Sequence, residues 1–409
     1  MSATPMDIDT RSSPAPAEAP QLNITRTLGN SVSTTSAVSE VIANFRPTKL
    51  FRRDESKDGK SPSYILSIDY DDPGELCMTS ESDETIQIYN VKEGRHDKTL
   101  LSKKYGVKLA RFTHASSSII YASTKQNGQY CSVIGHGVPF WTAADGRHVD
   151  AIRYLATHDN SFIRYFEGHE GPVTALTMHP GADNFISCGR DNTVRLWDMN
   201  TKFWTAQINL RTPYLAAYDP SGQVFAVGSS SSGSVLLYDH RNYAKPFNVF
   251  DVVEKCHPVD THYTMQGWTK LEFSNDGKHI LLGANGKGHF LLDAFTCELK
   301  AYLRKPEGGT RRAAPGEANL RGPPSENPTN LESSGECCFT PDGRYVLSGS
   351  KKDVLVWDVL ATTNEKKVLE PSYILEDKKE AAVLAYNPRF NFFATADQQL
   401  EFWLPDPHA

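Results

Sequence analysis

The sequence repeats one short pattern, a polar turn followed by an apolar run that ends in an aromatic residue or a leucine. From the third turn residue of each plain copy to the residue that closes it, the separations are 17, 17, 18, 17, 16 and 15 positions. The pairs are Asp72 and Tyr89, Pro180 and Trp197, Pro220 and Tyr238, Asn275 and Leu292, Pro341 and Trp357, and Pro388 and Trp403. This regular spacing indicates that one structural unit recurs along the chain.

A seventh copy begins in FTHASSSIIYAS, residues 112–123, and closes at Leu155. Its closing residue arrives late because 22 residues, 128–149, are inserted; without them the interval from Tyr89 to Leu155 falls from 66 to 44. The next two intervals, to Trp197 and then to Tyr238, are 42 and 41. The inserted residues are either a loop that grew in this chain or a translated intron, and the sequence leaves both open.

A period of roughly 40 to 45 residues with WD-like closings is typical of a β-propeller, in which four-stranded blades stack in a ring. We therefore predict an all-β fold, a seven-bladed WD40-type propeller over residues 44–409. We expect RPTKLFR, residues 46–52, to add the outer strand of the last blade and so to remove a bare sheet edge. The predicted blade-closing positions are Tyr89, Leu155, Trp197, Tyr238, Leu292, Trp357 and Trp403.

Two regions differ in composition from the repeats. Residues 1–43 are rich in Ser, Thr, Ala and Pro and carry few large apolar side chains, so burial cannot offset the entropy of ordering them. We expect them to form a disordered N-terminal tail. A second insertion, residues 305–333, is dense in Pro and Gly, which predicts a mobile loop between blades.

Charge and cysteine content limit the classes of partner and compartment. The formal net charge is −6 and no run of five Lys or Arg occurs, which argues against sequence-specific nucleic-acid binding and favours protein partners. Seven cysteines without a CxxC pair indicate reduced thiols in an intracellular compartment. No basic start precedes an apolar stretch, and no apolar run approaches the ~18 residues of a membrane helix, so we expect no secretion and no membrane association.

His169, Ser187 and Asp191 form a trio of residue types that can be catalytic. In a WD blade, however, these residues and Trp197 occupy the four positions of a structural hydrogen-bond network that satisfies polar groups buried between blades. Ser187 lies within the strand-like run FISCG, where no nucleophile elbow surrounds it. We therefore expect the four residues to brace the fold, and we predict that the chain is not an enzyme.

No cofactor or metal site is predicted. Cys131, His136 and His148 lie in the first insertion at irregular spacings that do not match a zinc motif. The glycine-rich GANGKGH, residues 283–289, is followed by no helix whose N-terminus could meet a phosphate, so we interpret it as a hairpin turn. The acidic residues between 70 and 84 are interpreted as solvated turns.

Several phrases resemble one family, the WD-repeat subunit of the COMPASS histone lysine methyltransferase complex, called Swd-two in yeasts and WDR-eighty-two in animals. The phrases are SKKYG, IRYLATHDNSFIRYFEGHEGPV, AYDPSGQVFA, WTKLEFSNDGK, LLDAFT and CFTPDGRYV. The resemblance implies a nuclear scaffold without catalytic activity, whose partners are the methyltransferase catalytic subunit and other subunits of the complex. It also implies proximity to the phosphorylated tail of RNA polymerase II and, in fungi, sharing with the cleavage and polyadenylation factor.

Two other functions remain open at this point, because the same ring serves many pathways. One is a general WD-repeat adaptor, such as a substrate receptor of a ubiquitin ligase. The other is a propeller enzyme that acts at the central channel, although the repeats show no matching cluster of carboxylates, histidines or metal ligands.

Overall fold

The computed structural model describes residues 37–52, 63–125, 150–229, 232–257, 259, 267–310, 312, 335–377, 379–406 and 408. Within them the chain forms seven sheets that are the blades of a propeller. The prediction of a seven-bladed all-β propeller is confirmed. The first insertion, residues 128–149, lies outside the described residues, as do residues 1–36.

The described chain begins with a helical turn, α1 (Val38–Val41), and a 3-10 turn (Ile42–Asn44), followed by strand β1 (Phe45–Phe51). Ile42 is buried against the blades, and Val38 and Val41 pack on the same cluster. The prediction of a disordered tail over residues 1–43 is therefore wrong for its last residues, which form these turns. The average composition of residues 1–43 did not reveal that Val38, Val41 and Ile42 form a short apolar group that packs on the blades.

The first three blades follow the chain in order, with the first strand innermost and the fourth at the rim. Blade 1 contains β2 (Ile65–Tyr70), β3 (Leu76–Glu81), β4 (Thr85–Asn90) and β5 (Arg95–Leu101). Blade 2 contains β6 (Lys108–Phe112), β7 (Ser118–Ala122), β8 (Asp150–Ala156) and β9 (Phe162–His169). Blade 3 contains β10 (Val173–Met178), β11 (Asn184–Gly189), β12 (Thr193–Asp198) and β13 (Trp204–Asn209).

The next two blades continue this order. Blade 4 contains β14 (Leu215–Tyr218), β15 (Val224–Ser229), β16 (Ser234–Asp239) and β17 (Asn248–Asp251), and a short helix, α2 (Val252–Cys256), follows it. Blade 5 contains β18 (Trp268–Phe273), β19 (His279–Ala284), β20 (Gly288–Asp293) and β21 (Leu299–Arg304).

The last two blades both depart from this simple order of strands. Blade 6 contains β22 (Cys337–Phe339), β23 (Tyr345–Gly349), β24 (Asp353–Asp358) and β26 (Tyr373–Glu376). Between its last two strands, β25 (Val368–Leu369) pairs in parallel with β21 and covers the outer edge of blade 5. Blade 7 contains β27 (Val383–Tyr386), β28 (Phe393–Ala396), β29 (Leu400–Pro405) and, as its fourth strand, β1.

The pairing of β1 with β29 closes the ring. The two strands are antiparallel, with Phe45 opposite Pro405 and Phe51 opposite Leu400. Pro47 is tolerated because an outermost strand has one side that needs no hydrogen-bond donor. The predicted closure is confirmed, although the strand begins at Phe45, one residue before the predicted segment RPTKLFR.

The core lies between the blades. Each apolar cluster combines side chains of two neighbouring blades; one of them packs Ile120 and Phe166 of blade 2 against Phe185 and Trp197 of blade 3. The second strand of a blade is therefore covered on both sides. This explains why these segments are continuous apolar runs and do not alternate with polar residues.

The strand order gives the propeller two different ends. The connections between first and second strands and between third and fourth strands meet at one end, which we call the turn face. The connections between second and third strands, and from each blade to the next, meet at the other end, the loop face. None of the described helices is long and apolar enough to span a membrane.

Part of the second insertion is ordered, which corrects the prediction of a mobile loop over residues 305–333. Within its described part, Lys305, Thr310 and Arg312 are buried. The composition of the segment is rich in Pro and Gly, but Lys305 donates to the carbonyl of Ala284 in blade 5 and Arg312 to the carboxylate of Asp397 in blade 7. The remainder, 313–333 together with residue 311, lies outside the described residues.

Candidate functional site: the two faces of the propeller

The four residues predicted as a network in blade 3 are connected by hydrogen bonds that run from Trp197, inside the blade, to Asp191 at the loop face. The indole N–H of Trp197 donates to Ser187 Oγ over 2.8 Å, and Ser187 Oγ lies 2.6 Å from Nε2 of His169. The Nδ1 atom of His169 lies 3.0 Å from the carboxylate of Asp191. Since that carboxylate only accepts, the Nδ1–H group of His169 donates to it, and the network connects Trp197 through Ser187 and His169 to Asp191.

Asp191 is the acceptor at the end of this chain. It accepts from the backbone N–H of Glu170 at 2.9 Å and from the hydroxyl of Thr193 at 2.8 Å, as well as from His169. Burial raises the pKa of this carboxyl group, but the hydrogen bond and charge of His169 and the bonds from Glu170 and Thr193 outweigh it and lower the pKa to about 2. Asp191 is therefore ionised over the physiological range.

Two neighbouring residues, Gly189 and Arg195, leave room for the network and cover it. A Cβ atom at Gly189 would lie 2.4 Å from Nδ1 of His169 and 2.6 Å from Asp191 Oδ1, so only glycine leaves room for the pair. Arg195 lies with its guanidinium 4.1 Å from the centre of the Trp204 ring and 3.7 Å from Asp191. The arginine covers the network from the rim side and adds a cation–π contact.

The same atoms could be mistaken for a hydrolytic triad, because the Ser–His and His–Asp distances fit one. Ser187, however, has 0% exposure, and its oxygen already accepts from Trp197. A nucleophile must reach a substrate carbonyl and have oxyanion donors nearby. The geometry therefore suits a buried hydrogen-bond network and leaves the serine inaccessible.

The seven predicted blade-closing residues lie on the third strands, and all are buried. Each pairs across the sheet with a residue at the start of the second strand. The pairs are Tyr89 with Cys77, Leu155 with Ile119, Trp197 with Phe185, Tyr238 with Phe225, Leu292 with Ile280, Trp357 with Val346 and Trp403 with Phe393.

Sequence reasoning missed a second buried histidine, His289 on β20. Its Nδ1 atom accepts from the backbone N–H of Ala284 at 3.0 Å, which requires the proton to be on Nε2. Nε2 lies 2.7 Å from the hydroxyl of Ser348 in blade 6 and donates to it. Burial, assisted by the charge of Lys305, lowers the pKa of His289 well below its ordinary value, so the ring is neutral. Its location in GKGH was the available signal, but that segment was interpreted only as a turn.

At the turn face, side chains from one blade bond to the turn of the next. His114 of blade 2 lies 2.8 Å from the carboxylate of Asp72 in blade 1 and 3.0 Å from the carbonyl of His179 in blade 3. His179 in turn donates to the carbonyl of Gly222 in blade 4 at 3.1 Å. Because both nitrogens of His114 face acceptors, the hydrogen bond to Asp72 raises its pKa despite partial burial. These bonds tie blades 1 to 4 together at this end.

Two further side chains continue this series of bonds. Asn275 of blade 5 donates to the carbonyl of Pro341 in blade 6 at 3.0 Å. Asn387 of blade 7 donates to the carbonyl of Gly74 in blade 1 at 2.8 Å, across the point where the ring closes. The polar turns that recur in the sequence are thus joined to one another by hydrogen bonds on the turn face.

Inside this ring of turns, the central channel of the propeller opens as a cavity of about 730 Å³. Two charged pairs line it: Arg111 lies 3.7 Å from Asp69, and Lys270 lies 2.9 Å from Glu272. Burial raises the pKa of Asp69 to about 6, although Arg111 and the N–H of Phe112 act in the opposite direction. Asp71, Asp72 and Asp219 also line the cavity, so acidic side chains outnumber basic ones in its wall.

The turn face also carries exposed apolar side chains. Phe295 is 75% exposed and Leu360 is 70% exposed, and both border a notch of about 570 Å³ between blades 5 and 6. Phe203 and Phe390 are further exposed aromatic residues on this face. Exposed large apolar groups beside polar ones are common in protein interaction surfaces.

Among the described residues, no group of three or more His, Cys, Asp or Glu side chains could hold a metal ion. Cys131, His136 and His148 lie outside the described residues. The described cysteines are all buried and free, and burial raises the pKa of the thiols of Cys77, Cys188 and Cys256.

The model of the WD domain, G-beta repeat, matches residues 160–198, which include the blade 3 network, and residues 335–358 in blade 6. The chain is 32% identical over 372 residues to WD repeat-containing protein 82 of Drosophila melanogaster, covering 90% of this chain and 96% of that protein. It is 32% identical over 380 residues to COMPASS component SWD2 of Saccharomyces cerevisiae, covering 92% and 100%.

A third relative, Set1 complex component swd2 of Schizosaccharomyces pombe, is 28% identical over 405 residues, covering 91% of this chain and 100% of that protein. These similarities extend over nearly the whole of each protein and so include every blade. The chain therefore belongs to the WD-repeat family that includes WD repeat-containing protein 82 and COMPASS component SWD2.

Proposed function

We propose that the chain is a non-catalytic scaffold subunit of a COMPASS-type histone lysine methyltransferase complex in the nucleus. The observation that carries this proposal is the near full-length similarity to two yeast proteins whose names place them in the COMPASS and Set1 complexes. The absence of an accessible nucleophile in the blade 3 network supports a binding role.

The mechanism is docking of partner segments on a rigid ring. Segments of the methyltransferase catalytic subunit and of other subunits contact the turn face, where Phe295 and Leu360 act as apolar anchors. A few well-packed anchors carry most of the affinity of an interface, and area alone does not. The bond from Asn275 to the carbonyl of Pro341 joins blades 5 and 6, which carry the two anchors, and a fixed position of these blades lowers the entropy cost of binding.

We extend this proposal to mRNA cleavage and polyadenylation and to proximity with the phosphorylated tail of RNA polymerase II. This extension is supported by the family resemblance of the sequence phrases. It implies that the same ring takes partners of two kinds, one in histone methylation and one in 3′-end formation.

The test is affinity purification of the tagged chain from nuclear extract, followed by mass spectrometry. The wild-type chain is compared with the double variant Phe295→Ser with Leu360→Ser, and with Leu101→Ser, an exposed leucine at the loop-face end of β5. We expect methyltransferase subunits with the wild-type chain and with Leu101→Ser, and their loss with the double variant.

Different outcomes separate the parts of the proposal. Cullin-linked adaptors in place of methyltransferase subunits would contradict the assignment and favour a ubiquitin-ligase role. Methyltransferase subunits without cleavage and polyadenylation subunits would contradict only the extension. Equal recovery with all three chains would place the contacts away from the turn-face anchors.

A further inference from the structure

A segment of the second insertion runs over the loop face of blade 5, and the side chain of its last described residue, Arg312, reaches the junction of blades 7 and 1. It starts at Lys305, directly after β21, where the ammonium group donates to the carbonyl of Ala284 at 2.7 Å and lies 3.5 Å from Glu336. Seven positions later, Arg312 contacts residues of blades 7 and 1. The side chain of Asn285 holds this end by donating to the carbonyl of Arg312.

Arg312 is held through its guanidinium group. One terminal nitrogen lies 2.6 Å from the carboxylate of Asp397 and 3.3 Å from its carbonyl, and Nε lies 3.2 Å from the same carboxylate oxygen. The guanidinium carbon lies 5.1 Å from the centre of the Tyr64 ring. Arg312 is only 3% exposed.

The walls of this site are built without Arg312. Asp397 lies in the tight turn between β28 and β29, and its carbonyl accepts from the backbone N–H of Ile65 at 2.7 Å. Gln398 of the same turn donates to the hydroxyl of Tyr64 at 3.1 Å. These bonds join blade 7 to blade 1, so the carboxylate and the ring keep their relative positions when the arginine leaves.

The chemistry of the site selects a guanidinium group. A carboxylate in line with two N–H groups and an aromatic face beside the plane match the flat fork of arginine, while an ammonium group offers only a point charge. The occupant is incompletely satisfied, because the second terminal nitrogen of Arg312 has no hydrogen-bond partner among the described residues. A buried charged group with an unmet donor costs free energy, which makes the occupant exchangeable.

We propose that Tyr64 and Asp397 form a recognition pocket for an arginine side chain, that Arg312 fills it from within the chain, and that an arginine-bearing segment of a partner protein binds there by displacing Arg312. The loop face is then blocked in the free protein. The pocket does not depend on which assembly the chain joins, since it is defined by these three residues alone.

The test uses the full-length chain and ligand-observed NMR titration with two capped peptides, Gly-Gly-Arg-Gly-Gly and Gly-Gly-Lys-Gly-Gly. The proteins are the wild type, Arg312→Ala, and Arg312→Ala combined with Asp397→Asn. We expect Arg312→Ala to bind the arginine peptide at least about tenfold more tightly than the wild type, because apparent affinity scales with the fraction of molecules whose pocket is empty. The lysine peptide and the double variant should show no such gain.

Two kinds of binding result would overturn the proposal. One is equal binding of the arginine peptide by the wild type and Arg312→Ala. Another is a gain that is the same for the lysine peptide or that survives Asp397→Asn. Circular dichroism melting checks that each variant is folded, and Arg312→Lys, which keeps the charge without the fork, replaces Arg312→Ala if that variant unfolds. Failure of both to fold would show that Arg312 is inseparable from the fold, which also contradicts exchange.

Discussion

The Nε2 atom of His289 lies 2.7 Å from the hydroxyl of Ser348, so the third strand of blade 5 is bonded to the second strand of blade 6. Ser348 occupies the same position in its blade as Ser187 in blade 3, because each serine pairs with the residue two positions before the closing tryptophan. In blade 3 the histidine is the last residue of the fourth strand of blade 2, whereas here it lies on the third strand of blade 5. The indole N–H of Trp357 has no hydrogen-bond partner among the described residues.

We predict that His289 makes stability depend on pH. Its folded-state pKa lies well below the ordinary value of 6.5, so below that pH the unfolded chain binds a proton that the folded chain does not. The contribution is complete above about pH 6.5 and is lost as the pH falls, with a slope of up to about 1.4 kcal/mol per pH unit. Urea unfolding of wild type and His289→Gln between pH 7.5 and 5 should show the smaller slope in the variant. The exposed His158→Gln serves as control, and equal slopes for wild type and His289→Gln would contradict a neutral buried ring.

We predict that the blade 3 network stabilises the fold. Replacement of His169 by Ala removes one buried hydrogen-bond partner from Ser187 and one from Asp191, and should lower the free energy of unfolding by about 1–3 kcal/mol. His158→Ala, an exposed change, should have almost no effect. Combining His169→Ala with Ser187→Ala should cost less than the sum of the single changes, because both break the same bond. An unchanged melting temperature for His169→Ala would refute the bracing role.

We predict that closure of the ring depends on β1. Phe45 is fully buried, with its ring centre 5.0 Å from that of Phe393 and 6.1 Å from that of Tyr386. Phe45→Ala should destabilise the propeller by about 3–5 kcal/mol in denaturant titrations. Lys49→Ala, an exposed position on the same strand, should change stability by less than about 0.5 kcal/mol. Similar effects of the two changes would mean that β1 contributes little packing.

We predict that Gly74 is essential to the junction of blades 7 and 1. It has a φ of +71°, and a Cβ there would lie 2.4 Å from the side-chain oxygen of Asn387. Gly94 has a φ of +58°, but a Cβ there meets nothing within 4 Å. Gly94→Ala should therefore cost only the backbone strain of about 1–2 kcal/mol. Gly74→Ala should cost about 1–3 kcal/mol more, from the added overpacking. Equal melting temperatures for both variants would show that the turns yield without loss.

The ring was predictable because its signal is dense: a turn and a closing residue recur in every blade, and each pair is local. The arrangement of His169, Ser187, Asp191 and Trp197 follows from the same local spacing. His289 and Ser348 are 59 positions apart and lie in different blades, so no spacing rule connects them.

The two errors in the ordered regions have a common physical origin. Ile42 and Arg312 each lie in a segment whose average composition predicts no packed structure. Each is ordered by a few specific contacts: Ile42 packs in the apolar cluster of blades 6 and 7, and Arg312 pairs with Asp397 and lies beside Tyr64. Averages of composition over a window cannot reveal such contacts.

Closure through β1 has a consequence for biosynthesis. The strand that completes blade 7 is synthesised well before its partner β29, because Phe51 and Leu400 are paired across the sheet but far apart in the sequence. At usual elongation rates the interval is roughly 20 to 70 s. During that time Phe45 lacks the partners that bury it, so blade 7 cannot be completed on the nascent chain until β29 has been synthesised.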